Sequence, residues 1–341
     1  MQTIINFVCE DAHKKVSGGY IYNHHVLNGL KRRGYLLRYF DANNINTLTN
    51  EGITIVDSIS VNDIAEVLLT KLEPEHLILL CHLPPELQVA YDNANNKNLL
   101  SPLTQVIQQS HILFTGTACK EYMVSTYQLH ANKLHMIKPG LCEGWRYKTE
   151  FAVLPYRLIV AASLIPNKGY ELLLQSLKAL EYLPWQLEIY GESRFAIDYA
   201  NSIFALVQQY QLGDRISYKG VVSQQDLNVA MVNADLMIHL SAYEPYSMIS
   251  LEAINAKLPM LSSVSGELAE FSRAKNVRYI DAYTVESCAQ ALADLLCNKN
   301  AYQSLCQQGG GSARTWATVV DEFASLLQHV KPKKQQSGAF I

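Results

Sequence analysis

Two glutamates, Glu244 and Glu252, close the ends of the stretch EPYSMISLE in the second half of the chain. The apolar run ADLMIHLS before it predicts a strand ending at Ser241, and Pro245 suits the first turn of a following helix. First-turn amides lack intrahelical partners and are suited to hold a phosphate. On this prediction the donor amides belong to Tyr246, Ser247 and Met248.

The spacing of the two acids adds a second expectation. On a helix, positions eight apart lie on roughly one face, so Glu252 is placed two turns from Glu244 and from the phosphate. There its carboxylate would accept hydrogen bonds from a pair of neighbouring ribose hydroxyls. A solvated helix edge that carries two acids by chance is the alternative, and this stretch alone does not decide between them.

Other residues that could bind a ligand or take part in catalysis also follow predicted strands. Gly18 and Gly19 enter a helix, where they form either a simple turn or a close approach of backbone amides to a phosphate or sugar. His82 follows LILLC, where it either faces a cleft or is a neutral histidine satisfied by a backbone carbonyl. Lys168 precedes a glycine and a helix; it suits an anion such as a diphosphate, or else is an exposed surface lysine.

Composition excludes several classes of protein. The chain has 341 residues, 49% hydrophobic and 17% charged, with a net charge of −3, which is typical of a soluble globular protein without a nucleic-acid footprint. Its apolar runs are far shorter than the ~20 residues that a bilayer requires. Its seven cysteines lack Cys-x-x-Cys spacing, which indicates reduced thiols in a cytoplasm without a disulfide framework or structural zinc. The N-terminal run MQTIINFVCE predicts a buried strand, not a signal peptide.

Short apolar runs alternate with helical patterns along the chain, which predicts parallel α/β architecture. In the first half we expect strands at 4–8, 36–40, 53–57, 76–81 and 111–116, and a last strand and loop at 133–141. After a proline-bearing segment near residue 150, a second series follows at 157–163, 186–191, 215–220, 234–241 and 258–263. The repeat predicts two Rossmann-like lobes that face each other across a cleft, with ligands beyond the carboxyl ends of strands.

Some site classes find no support in the sequence. No GxGxxG follows a strand, so a dinucleotide fingerprint is absent. His82 has no Ser, Asp or Cys partner at a spacing that suggests a hydrolase triad. The final residues, KPKKQQSGAFI, fit a solvated tail or a contact with an acidic surface.

Taken in order, these features resemble the retaining nucleotide-sugar glycosyltransferases of the GT-B fold, family 4 (glycosyl transferases group 1). The family pattern has a glycine pair in the first loop, a cleft His, a PxKG loop, a glycine after the next strand, an AD…S…E stretch and the E-x7-E segment. The matching positions are Gly18-Gly19, His82, Pro166 to Gly169, Tyr190 to Glu192, Ala234 to Glu244, and Glu244 to Glu252. The resemblance covers about residues 4 to 330.

The resemblance implies an enzyme that moves a sugar from a nucleotide-diphosphate donor to an acceptor hydroxyl, with retained anomeric configuration. It implies an acceptor-side lobe over residues 1–150, a donor-binding lobe over 151–310, a helix at 311–330 that returns to the first lobe, and a loose tail at 331–341. No metal or other cofactor is expected, and the chain has no Asp-x-Asp. The expected partners are a UDP- or GDP-sugar and a glycan, lipid-linked or small-molecule acceptor.

The resemblance also implies a role for each residue. Glu244 would lie by the sugar ring, His82 would bind the sugar from the first lobe, and Lys168 would neutralise the diphosphate. The remaining diphosphate contacts are expected from Gly18, Gly19, Ser163, Tyr246, Ser247 and Met248. The nucleoside contacts are expected from Glu252, Gly191, Val221 and Val222.

The chain departs from the family pattern at two places near the diphosphate. Ser163 stands where many members carry Arg, so either donor binding is weaker or another cation fills in. Pro245 and Ser247 replace the two glycines of the usual EGFG. Their side chains leave less room for the backbone to approach the phosphate.

The sequence therefore leaves three functions open. They are a metal-independent retaining glycosyltransferase, a catalytically silent nucleotide- or glycan-binding partner protein, and a non-hydrolysing sugar-nucleotide epimerase. The basic cluster Lys31, Arg32, Arg33 and Arg38 fits a peripheral contact with the inner membrane face or a solvated helix end. The expected location is cytoplasmic.

Overall fold

The structure is a computed structural model that describes residues 3–10, 17–58, 60–85, 101–141, 154–264, 276–306 and 314–330. The asparagine-rich stretch at 91–98, the segment 142–153, the triple glycine at 309–311 and the tail at 331–341 lie outside the described residues. The chain forms two compact units: the first comprises Met1–Gly140 and Arg314–Ile341, and the second comprises Leu141–Ala313. Each contains a six-stranded parallel sheet, as the alternating pattern predicts.

The sheet of the first unit has strands close to the predicted positions. They are β1 (Ile4–Val8), β2 (Leu36–Phe40), β3 (Ile53–Asp57), β4 (Leu77–Cys81), β5 (His111–Phe114) and β6 (Leu134–Met136). Their order is β2-β1-β3-β4-β5-β6. The continuous apolar run LILLC of β4 is buried along its whole length, because both faces of a central parallel strand are covered by helices.

Helices cover both faces of this sheet. They are α1 (Gly18–Arg32), α2 (Val61–Lys71), α3 (Ser101–Gln109), α4 (Thr117–Thr126) and α11 (Trp316–Val330). On one face, Leu30 of α1 and Phe323 of α11 pack in a cluster with Ile55 of β3. On the other, α2, α3 and α4 pack against the alternate residues of the strands. The last described helix therefore belongs to the first unit.

The second unit has a doubly wound sheet. Its strands are β7 (Tyr156–Ala161), β8 (Trp185–Tyr190), β9 (Ile216–Gly220), β10 (Leu236–His239), β11 (Met260–Ser262) and β12 (Val277–Tyr279). Their order, β12-β11-β10-β7-β8-β9, corresponds to the 3-2-1-4-5-6 order of Rossmann folds when read from β9. The chain reverses its direction of winding between β7 and β10, so these neighbours form the topological switch point.

The helices of this unit divide between the two faces according to that reversal. They are α5 (Tyr170–Ala179), α6 (Ile197–Gln209), α7 (Gln224–Asn233), α8 (Met248–Asn255), α9 (Val285–Cys297) and α10 (Lys299–Cys306). Leu173 of α5 and Leu292 of α9 pack in the larger cluster on one face. Met231 of α7 and Ala253 of α8 pack in the smaller cluster on the other. The loops that leave β7 and β10 thus turn to opposite faces and open a crevice between them.

Candidate functional site

The switch point of the second unit brings Lys168 and Glu244 together. Lys168 ends a short 3-10 turn, Pro166–Lys168, after β7, and Glu244 lies in the loop after β10. Lys168 Nζ donates to Oε2 of Glu244 at 2.7 Å. Burial alone would raise the pKa of Glu244, but the charge of Lys168 and a hydrogen bond from His239 outweigh it and hold that pKa well below its usual range. The carboxylate is therefore ionised at neutral pH.

Glu244 is held by one of its two oxygens. Besides Lys168, Oε2 accepts from Ser241 Oγ at 3.1 Å and lies 3.2 Å from His239 Nε2. Its other oxygen, Oε1, makes no hydrogen bond with the described part of the chain. The carboxylate therefore retains an unused acceptor, which suits a hydroxyl of a bound ligand.

Asn167 joins the two loops of the crevice. Its backbone carbonyl accepts from the Ala242 amide at 2.8 Å, and its side-chain amide donates to the Tyr243 carbonyl at 2.7 Å. The Tyr243 amide donates back to Asn167 Oδ1 at 3.0 Å. These bonds fix the neighbour of Lys168 to the neighbour of Glu244, so the ion pair does not depend on its own attraction alone.

Gly169 explains the last position of the PxKG loop. It has φ +71°, and a Cβ at this residue would collide with the carbonyl oxygen of Leu240 after β10. A left-handed backbone and a close approach to the neighbouring loop both require glycine here. The glycine thus lets the β7 loop pass directly beside the β10 loop.

Helix α8 begins later than the sequence predicted. Its first residue is Met248, and Ser247 is the N-cap with φ +66° and ψ +72°, so Pro245 does not belong to the first turn. The chain needs the extra residues because the loop folds back to bring Glu244 beside Lys168. Tyr246 precedes the cap, so its amide is not a first-turn donor. The first-turn amides are those of Met248, Ile249 and Ser250.

The spacing of the two acids also has a different meaning from the predicted one. Glu244 lies in the loop and only Glu252 lies on α8, so the helical-face relation between them does not hold. Glu252 is buried, and burial raises its pKa to about 7, with the Gln224 side chain opposing the rise. Among the residues that the structure describes, Glu252 has no cationic partner of the kind that Glu244 has in Lys168.

The remaining predicted residues of this unit lie at the carboxyl edge of the sheet. Half-buried Ser163 follows β7, and Gly191 follows β8 with φ +146°. The strand β9 ends at Gly220, so Val221, which is exposed, and Val222 come directly after it. The Glu192 carboxylate is held by the Arg194 side chain and by the amides of Ser193 and Arg194. It therefore closes its own turn.

In the first unit, His82 follows β4 at the carboxyl edge of its sheet. Its Nε2 donates to Asn23 Oδ1 at 2.9 Å, and its Nδ1 accepts from Thr115 Oγ1 at 3.3 Å. Burial lowers its pKa, and the Asp57 carboxylate nearby opposes this. The predicted alternative of a backbone-carbonyl partner is wrong, because side chains fill this role. Both ring nitrogens are occupied, so a sugar contact through either one requires a partner to be exchanged.

One glycine of the predicted pair, Gly19, lies against this histidine. Gly18 and Gly19 begin α1, and a Cβ on Gly19 would lie 3.1 Å from the His82 ring, while one on Gly18 would meet nothing within 4 Å. Asn23 of the same helix also donates to Asp57 Oδ2 at 2.6 Å. The start of α1 and the ends of β3, β4 and β5 thus form one polar cluster.

Sequence reasoning missed two residues of the second-unit site, His239 and Asn167. His239 had the same signal as His82, a histidine at the end of an apolar strand, and Asn167 stood inside the PxKG stretch. The structure groups the predicted residues by unit. Gly18, Gly19 and His82 lie in the first unit, and Ser163, Lys168, Gly191, Val221, Val222, Glu244, Tyr246, Ser247, Met248 and Glu252 lie in the second.

Two parallel sheets of this topology, with a switch-point site in the second, are the GT-B fold. The chain is similar over 96% of its length to sucrose-phosphate synthase from Thermosynechococcus elongatus, at 14% identity and a TM-score of 0.77, and 99% of that chain is covered. It is also similar to Anabaena Alr3699/HepE in complex with UDP-glucose, at 14% identity and a TM-score of 0.75, with 96% and 100% covered. These similarities show the fold.

Sequence comparison identifies the second unit more closely. Residues 144–310 match the family described as "Glycosyl transferases group 1". The chain is 23% identical over 237 residues to mannosylfructose-phosphate synthase from Agrobacterium fabrum, which covers 64% of this chain. It spans about half of that relative, since 52% of the relative is aligned. The match to this family therefore falls on the second unit of a chain with the GT-B fold.

Proposed function

We propose that this protein is a glycosyltransferase that moves a sugar from a nucleotide-diphosphate sugar to an acceptor hydroxyl, with retention at the anomeric carbon. The observation that carries the proposal is the arrangement at the β7–β10 switch point. A cation, an ionised carboxylate with a free oxygen and the amino end of a helix meet there. This is the combination that a diphosphate joined to a polyhydroxylated ring requires.

The diphosphate would lie between Lys168 and the first-turn amides of α8. As the bond from the anomeric carbon to the phosphate oxygen breaks, the leaving diphosphate takes the electron pair. Lys168 and the positive end of α8 stabilise the charge that develops. The acceptor hydroxyl forms the new bond to the anomeric carbon and passes its proton to the departing phosphate.

Glu244 and Glu252 would bind the neutral parts of the donor. Glu244 Oε1 accepts a hydroxyl of the transferred sugar, and Glu252 accepts the ribose hydroxyls. Val221 and Val222 would contact the base, and Gly191 would let the backbone approach it. UDP is the first candidate nucleotide, because HepE, a protein of the same fold, has been solved in complex with UDP-glucose.

Metal independence belongs to the same proposal. Among the described residues, no group of three or more His, Cys, Asp or Glu side chains is arranged to hold a metal ion. Lys168 and the helix end would supply the positive charge instead. We also propose a cytoplasmic location and a glycan, lipid-linked or small-molecule acceptor. In the part of the chain that the structure describes, no helix has the length and apolar character needed to cross a membrane.

One observation favours a second candidate, a catalytically silent protein that binds nucleotide or glycan. The charge of Lys168 is already matched by Glu244, and Ser163 adds no cation beside it. A silent protein would bind a nucleoside diphosphate or a glycan without turnover. Binding and turnover therefore separate the two functions.

The test combines calorimetry with UDP, GDP and ADP and a turnover assay with the corresponding nucleotide-sugars. We expect one nucleotide to bind and its sugar to be transferred, or slowly hydrolysed, in the presence of EDTA. Lys168→Ala should reduce turnover more than tenfold. The matched control, Lys178→Ala, removes an exposed lysine of α5 that forms an ion pair with Glu181, away from the switch point, and should leave turnover unchanged.

The outcomes distinguish the candidates. Binding without turnover of any donor would favour the silent protein, and the absence of any nucleotide binding would overturn the enzyme. NMR of the anomeric proton in the product should show the configuration of the donor. Conversion of one nucleotide-sugar into another without an acceptor would instead indicate an epimerase.

A further inference from the structure

His239, the last residue of β10, is almost fully buried beneath the switch-point site, with 3% of its surface exposed. Its Nε2 lies 3.2 Å from Glu244 Oε2, 3.2 Å from Ser241 Oγ and 3.3 Å from Ser247 Oγ. Neither the family pattern nor the proposed mechanism uses this residue. A buried histidine that points one nitrogen at the central carboxylate of a site nevertheless affects that carboxylate.

The contact with Glu244 determines which nitrogen carries the proton. A carboxylate oxygen only accepts hydrogen bonds, and an unprotonated Nε2 would direct its lone pair at that oxygen. The Ser241 hydroxyl gives its single proton to the same carboxylate oxygen. The proton of the imidazole must therefore lie on Nε2, so that the ring donates to Glu244.

We propose that His239 is a positioning residue: its Nε2–H holds Oε2 of Glu244 and thereby keeps Oε1 turned toward the sugar of the donor. This inference rests on the proposed glycosyltransferase function, because it assigns the orientation of one of its proposed binding groups. The role differs from that of Lys168, whose side chain must serve both the carboxylate and the diphosphate. When a diphosphate draws Lys168 toward itself, the rigid imidazole on β10 remains as a donor to Glu244.

His239 also connects two parts of the site. The same Nε2 contacts Ser247, the N-cap of α8, whose hydroxyl lies 2.6 Å from Ser250 Oγ in the first turn. One buried ring thus contacts the loop that carries Glu244 and the helix end that would hold the diphosphate. Loss of the ring should misalign the sugar with its leaving group, and should leave the nucleoside contacts intact.

Three substitutions test this. His239→Gln places an amide N–H near the position of Nε2, His239→Asn places its amide nearer the position of Nδ1, and His239→Leu removes the donor at similar size. With the donor that the wild type uses best among UDP-glucose, GDP-mannose and ADP-glucose, we expect Leu and Asn to lower kcat by about tenfold to a hundredfold. The glutamine variant should retain kcat within about threefold, and all three should bind the free nucleoside diphosphate with unchanged Kd.

A pH profile gives a readout that a purely structural role would not change. Loss of a donor to an ionised carboxylate raises its pKa, so the acidic limb of the kcat profile should move to higher pH in His239→Leu and not in His239→Gln. Equal kcat and an equal profile for the leucine variant and an active wild type would overturn the positioning role and leave the glycosyltransferase proposal standing.

A measurement that needs no turnover tests the role of His239 even if the proposed glycosyltransferase function fails. Nitrogen-15 NMR of the wild-type imidazoles should show His239 protonated at Nε2, and the assignment comes from the signal lost in His239→Gln. A proton on Nδ1 alone would overturn the proposal, because Nε2 would then have nothing to donate. If no nucleotide-sugar reacts, the proposed function fails, whereas this tautomer still decides whether His239 holds Glu244.

Discussion

The ammonium of Lys168 lies 2.7 Å from Oε2 of Glu244, although 76 positions separate the two residues in the chain. Topology brings them together, because β7 and β10 are neighbours in the sheet while the helices that follow them lie on opposite faces. The pair therefore lies at the topological switch point, where the loops that follow β7 and β10 turn to opposite faces of the sheet.

Removal of either partner of this pair should destabilise the second unit. Lys168→Ala leaves a buried carboxylate without its cation, and we expect the free energy of unfolding to fall by about 3 to 5 kcal/mol. Lys168→Ala combined with Glu244→Gln should recover a large part of this loss, since no buried charge remains. Urea denaturation of the two single variants and the double variant measures the coupling. Additive effects would contradict a direct interaction.

The backbone conformation of Ser247 should lower the stability of the folded protein. Its φ of +66° is left-handed, which costs about 1 to 2 kcal/mol for a residue with a Cβ. Ser247→Gly and Ser247→Ala both remove the hydroxyl, but only glycine relieves the backbone. The glycine variant should therefore be more stable than the alanine variant by about 1 kcal/mol or more in thermal or chemical unfolding. Equal stability would show that the left-handed conformation is not kept in solution.

Glu252 should make stability depend on pH. Burial raises its pKa to about 7, above the usual range of a glutamate, so the folded state binds the proton more tightly than the unfolded state. Stability is then greatest below about pH 4.5 and falls by roughly 3 kcal/mol as pH rises through 7. Glu252→Gln, which cannot ionise, should lack this fall. Denaturation midpoints between pH 5 and 8 measure the difference, and parallel profiles would contradict it.

The two glycines of α1 form a matched pair for substitution. Gly18→Ala puts a methyl group into open space and should be neutral or stabilising by up to about 1 kcal/mol. Gly19→Ala puts it 3.1 Å from the His82 ring, which Asn23 and Thr115 hold in place, so it should be destabilising by about 1 to 3 kcal/mol. Thermal unfolding compares them. A reversed order would mean that His82 moves freely.

Much of the fold could be predicted because the strands are short and strongly apolar. Several of them, such as Ile4–Val8 and Leu36–Phe40, match the predicted bounds. The strand β12, Val277–Tyr279, escaped because three residues with a central arginine show no readable periodicity. The start of α8 was predicted too early, because proline is common in the first turn of helices. The actual start is set by a loop that tertiary contacts of Glu244 and Asn167 hold in place.

The sequence predicted which residues belong to the site better than it predicted which of them contact each other. Lys168 and Glu244 were each identified from the residues around them, yet no local pattern shows that they pair, since pairing depends on the order of strands in the sheet. Asn167 contacts a loop 76 positions away, and His239 contacts Glu244 only because the loop after β10 folds back over it, so their residue types alone carry little information. Such supporting residues become visible only when the loops are placed in space.

The return of α11 to the first unit has a consequence for biosynthesis. The second unit, residues 141–313, is a continuous insertion between β6 and α11, and Val319, Phe323 and Leu327 of α11 complete the core beside α1. A nascent chain that has emerged only as far as residue 313 already holds every residue of the second unit. The first unit, although synthesised earlier, still exposes the apolar face of α1 at that moment. On the ribosome the order of completion is therefore the reverse of the order of translation.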